Sequence, residues 1–137
     1  MDKAEELRQW LSHANNDLRF AEHGLSLYPI PEEPICCLSQ QSAEKYFKAF
    51  LFSHDIEPPR THDLPQLLAM CEKISSGFDP FLKKCVFLTK FAVAPRYPNE
   101  LQITEEDAKV SIKYAKEIQE FILTKLTPKN TNPSHLL

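Results

Sequence analysis

The chain has 137 residues, the length of one ordinary domain and too short for two comfortable cores. Its 42% hydrophobic and 26% charged residues are the balance of a water-soluble globular protein, and no apolar run approaches the ~20 residues of a membrane span. The formal net charge of −3, from 16 Lys plus Arg against 19 Asp plus Glu, argues against the large basic surface of a clamp on long duplex nucleic acid.

The first helix is predicted from Leu7, Leu11, Ala14, Leu18, Ala21 and Leu25, whose alternating steps of four and three residues draw one apolar stripe over about five turns. Gly24 and then Pro29 supply its stop. The charged residues ahead of it (Asp2, Lys3, Glu5, Glu6) lack the apolar core of a secretory signal, so a cytoplasmic location is expected. A second helix is expected to start at Glu32 or Glu33, with Pro34 in its first turn, and to end before Pro58. Cys36, Ala43, Phe47, Phe50 and Leu51 form its apolar side. Beside them Gln41, Lys45, Lys48 and Phe52 recur at helical spacing, which brings Gln41 and two lysines onto one face. Gln40 intrudes on the apolar stripe and needs hydrogen-bond partners there.

A third helix follows Thr61 and His62, with Asp63 as its cap, Pro65 in the first turn and Gly77 beyond its end. The fourth is expected to begin near Asp79 and Pro80 and to stop before Pro95. Phe81, Cys85, Val86, Phe87, Leu88 and Phe91 make it apolar over much of its circumference, as a central or interface helix would be. Thr104 and Asp107 form a near capping box at the start of the last helix, which carries Ile112, Ala115, Ile118 and Ile122. Residues 127–137 have neither period nor apolar density and read as a disordered tail. With only two glycines for tight hairpins, the expected fold is an all-α antiparallel up-and-down bundle of about five helices over residues 1–126.

Four cysteines at 36, 37, 71 and 85 include no C-x-x-C pair and read as buried free thiols; no metal site and no cofactor are expected. Three polar groups stand where a bundle does not require them. The first is Gln40, Gln41, Glu44, Lys45 and Lys48, with Glu44 and Lys48 four apart. The second is Arg60, Thr61, His62 and Asp63, where His62 is suited to proton transfer. The third is Arg96, Tyr97 and Pro98, a stiff segment with a guanidinium for phosphate and a phenol for stacking on a base.

In this order and at these separations, with residues 14–18 and Ala21 on the first helix and Leu64 and Leu68 after His62, the chain resembles the HEPN domain (higher eukaryotes and prokaryotes nucleotide-binding) over about residues 4–125. The resemblance implies a helical bundle, commonly a homodimer, and often a minimal nucleotidyltransferase partner. Many members are metal-independent ribonucleases with an Arg and a His about four to six residues apart. No His follows Arg96 at that spacing, and the formal match of Arg8 with His13 lies on the first helix, away from the family's catalytic position. The expected function is therefore a non-catalytic module of toxin–antitoxin type, binding a nucleotide or RNA, or pairing with a nucleotidyltransferase. Lys45, Lys48 and Arg96 would contact phosphate, Tyr97 would stack and Gln41 would orient the site. The alternatives are a ribonuclease toxin with a rearranged Arg96/His62 site, and a dimerising bundle whose polar groups are purely structural.

Overall fold

In the computed structural model, residues 2–92 and 102–127 are described. Helix α1 (Lys3–Gly24) starts where the Asp2 carboxylate accepts from the Glu5 amide at 2.7 Å, and it buries Leu11, Ala14, Leu18 and Ala21, the predicted stripe. Its end is set by contact as well as by propensity. A Cβ on Gly24 would lie 2.7 Å from Cγ1 of Ile35, a fully buried side chain with nowhere to retreat. Alanine there gains helix propensity but overpacks the junction. Gly24→Ala is expected to lower stability by about 1–2 kcal/mol, read as a lower urea midpoint with an unchanged slope.

Helix α2 (Glu32–Ser53) is buried on nearly every side, from Ile35 and Cys36 through Tyr46, Phe47, Phe50 and Leu51, and is the central element. It stops earlier than the prolines alone suggest, because Asp55, at φ 62°, turns the chain before Pro58. Helix α3 (Leu64–Ile74) carries the predicted cap, with the Asp63 carboxylate accepting from the Gln66 amide. Leu64, Leu67, Leu68 and Cys71 are buried. Gly77, at φ 104°, then swings Phe78 into the core.

The fourth helical segment departs most from expectation. A 3₁₀ turn (Asp79–Phe81) leads into a short α4 (Leu82–Thr89), which ends well before Pro95. Only Cys85 and Leu88 of α4 are fully buried, while Leu82 and Val86 are exposed, so the central helix is α2 and not α4. The stop at Thr89 is set by a tertiary contact: its hydroxyl accepts from the Leu64 amide and donates to the His62 carbonyl, and Phe91 turns inward two residues later. Helix α5 (Glu105–Leu126) opens on a complete Thr104/Asp107 capping box.

The pairings Ala14 with Ser42 and Gly24 with Ile35 make α1 antiparallel to α2. Cys36 with Ser111 and Tyr46 with Gln119 show that α5 runs parallel to α2. The short α3 and α4 supply the reversal between them. The described residues contain no strand. All four cysteines are free, and burial pushes the thiols of Cys71 and Cys85 up to about 12 and that of Cys36 to about 11, so these three remain protonated at neutral pH.

Candidate functional site

Gln40, Glu44 and Lys48 are successive fourth residues on α2, so they stack along one face. Glu44 is 8% exposed and Lys48 7%, an ion pair almost withdrawn from water. Lys48 Nζ donates to Glu44 Oε2 at 2.9 Å. The other carboxylate oxygen, Oε1, lies 2.9 Å from Nδ1 of His62 and accepts from Gln40 Nε2 at 3.3 Å. Burial opposes the charge of Glu44, but the hydrogen bonds from Lys48 and then His62 outweigh it and hold the carboxyl below the usual carboxylate range.

His62 is fixed at both ends. Its carbonyl accepts from Gln40 Nε2 and from Thr89 Oγ1, each at 3.1 Å, and its ring is held through Nδ1 while 68% of the side chain remains exposed. The Gln40 amide cannot turn over, since both neighbours of its nitrogen are acceptors; its Oε1 is buried without a hydrogen-bond partner. One histidine thus ties α2, the start of α3 and the end of α4 together, and still presents an imidazole to solvent.

Next to this cluster runs an open groove of about 750 Å³ between the start of α1, the end of α2 and the segment before α3. Trp10 and Phe52 line it with aromatic surface, Lys3, Lys48 and Arg60 bring positive charge, and Glu6, Asp55 and Glu57 bring as many carboxylates. Lys3 is paired with Asp55 at 2.7 Å, whereas Arg60 is exposed and makes no ion pair among the described residues. Lys48 spends one of its three donors on Glu44.

The residues singled out in the sequence have different fates. Gln41 is exposed. Lys45 is partly buried and bonded to Asp17 of α1 at 2.6 Å, so its charge is already matched. Lys48 and His62 meet on Glu44. Arg96 and Tyr97 lie outside the described residues, as do residues 128–137 of the expected tail. Arg8 is bonded to Glu5 at 2.6 Å, and five helical steps turn it about 140° from His13, so the two do not share a face. Glu44 is the centre that sequence reasoning gave no role at the site. Its spacing from Gln40 and Lys48 was legible, but the approach of His62, 18 residues on, was not.

Among the described residues no group of three or more His, Cys, Asp or Glu could hold a metal ion, and no helix is long and apolar enough to cross a membrane. The family model for the HEPN domain matches residues 7–126. Among solved structures, TT1696 from Thermus thermophilus is similar over 91% of this chain and 99% of its own, at 24% identity and a TM-score of 0.77. ST0689, described as an archaeal HEPN homologue, is 29% identical, with a TM-score of 0.71 over 93% of this chain and 100% of its own. No curated protein matches the chain.

Proposed function

The chain belongs to the HEPN-domain family, and from that premise we propose that it is a non-catalytic module that binds the phosphate and base of a nucleotide or single-stranded RNA. The observation that carries this reading is the groove, which sets Trp10 and Phe52 beside Lys48 and Arg60. Its volume of about 750 Å³ lies within the range of small-ligand clefts. An aromatic face stacks on any base, and a guanidinium with no partner among the described residues offers two parallel donors to phosphate. Arg96 and Tyr97 belong to the same proposal as further phosphate and base contacts from the segment after α4. Gln41 and Lys45 are secondary in it, because neither lines the groove and Lys45 is turned to Asp17.

The family resemblance supports a nucleotidyltransferase partner of toxin–antitoxin type, and it supports a homodimer. The exposed Leu82 and Val86 on α4 are apolar surface on which a second copy could close.

Trp10 is the chain's single tryptophan, so its fluorescence reports on the groove directly. Titration with adenosine triphosphate and with a short oligoribonucleotide is expected to give a saturable change. Arg60→Ala should weaken binding about tenfold or more, the value of a charge-assisted hydrogen bond. No response and no binding heat, for the protein alone or with its purified nucleotidyltransferase, would overturn the reading. RNA cleavage in the presence of chelator, lost on His62→Ala and Arg96→Ala, would replace it with the ribonuclease reading.

A further inference from the structure

The carboxylates of the groove have no use in a site that binds phosphate alone, because each of them repels it. Asp55 is committed, since it holds Lys3 at 2.7 Å, and Lys3 also donates to the Ser53 carbonyl at 3.1 Å. The other cations around the start of α1 are taken as well, Arg8 by Glu5 and Lys45 by Asp17. Glu6 is left exposed, and its carboxylate has no partner among the described residues. The helix start does not call on it, because Asp2 supplies the cap. Glu6 and Trp10 are one turn apart on α1 and both line the groove, which sets their Cβ atoms about 5–6 Å from each other.

We propose that Glu6 reads the Watson–Crick edge of a base stacked on Trp10, and that the site prefers guanine nucleotides. The inference rests on the nucleotide-binding reading above and specifies the base. An ionised carboxylate accepts hydrogen bonds and donates none. Guanine alone of the four RNA bases presents two adjacent donors on that edge, N1–H and the N2 amino group, which match the two carboxylate oxygens. Adenine sets its bare N1 against the same oxygens, cytosine its bare N3, and uracil offers one donor between two carbonyls. A base lying flat on the indole brings its edge to a side chain one turn away. Its phosphate then faces Arg60 and the two spare donors of Lys48, on the walls formed by α2 and the segment before α3.

The test uses the full chain with guanosine, inosine and adenosine triphosphates, read by Trp10 fluorescence and by calorimetry. Guanosine triphosphate is expected to bind about tenfold or more tightly than adenosine triphosphate, the value of a hydrogen bond to a charged group. Inosine triphosphate lacks the amino group but keeps N1–H, and should fall between them. Glu6→Gln is expected to cut the guanine preference to about threefold or less, through weaker binding of guanosine triphosphate. A Glu6 that only repels phosphate predicts instead that this variant binds both nucleotides more tightly, a result that would overturn the proposal. Arg60→Ala should weaken both nucleotides alike and leave their ratio intact. A preference lost in Glu57→Gln but kept in Glu6→Gln would overturn the assignment to Glu6. Equal affinity of the wild type for the two nucleotides, or a preference for adenine, would overturn the guanine assignment and leave the binding module standing. No binding of either would overturn both.

Discussion

Glu44→Ala is expected to destabilise the protein by about 3–5 kcal/mol, because it leaves the ammonium of Lys48 nearly buried without its counter-charge. The Gln40 amide and the His62 ring lose an acceptor in the same step. A loss of this size is a large part of the 5–15 kcal/mol by which domains of this kind are usually stable. The double variant Glu44→Leu with Lys48→Leu removes both charges together and should recover most of the loss, since a buried ion pair can be replaced by packed apolar side chains. Urea unfolding of the three proteins measures this, and a Glu44→Ala loss under 1 kcal/mol would refute it. The pH dependence has a definite sign. The folded carboxyl of Glu44 lies below its ordinary value of 4.5, so its contribution is present above that pH and is lost as pH falls through the lower folded value. The wild type should therefore lose stability in acid more steeply than the double variant.

Phe78→Ala is expected to cost a similar 3–5 kcal/mol, for a different reason. Phe78 is fully buried, with ring centroids 5.0 Å from Phe50 and 4.8 Å from Phe121, the latter edge-on. Its amide is fastened to the Glu72 carboxylate at 2.7 Å, so the backbone cannot close over the space left behind. Phe78→Leu keeps most of the volume and should lose less than half as much. Equilibrium unfolding by circular dichroism distinguishes the two, and equal losses would show that the aromatic packing is not the source.

Much of the architecture was legible because it is local chemistry. The stripe of α1, the Asp63 cap and the Thr104/Asp107 capping box each depend on residues within one or a few turns, and each stands where the spacing predicts. The fourth helix departs from its spacing for the converse reason. Apolar residues around its circumference suggest a central or an interface helix running on towards Pro95, but the central element is α2, and Thr89 is held by the loop before α3 and ends the helix after eight residues. That contact spans 25 residues and leaves no trace in the periodicity.

The candidate site divides along the same line. The sequence by itself determined an all-α bundle, its helix starts, the HEPN resemblance, and a polar face on α2 containing Gln40, Glu44 and Lys48, since helical geometry places every fourth residue on one side. Only the tertiary structure decided which charges remain available. It paired Lys45 with Asp17 and Lys48 with Glu44, brought His62 onto the same carboxylate and left Arg60 exposed beside Trp10 in the groove. Those outcomes depend on the distances between elements far apart in the chain, and the strength of a charge depends on what else lies within a few ångströms of it.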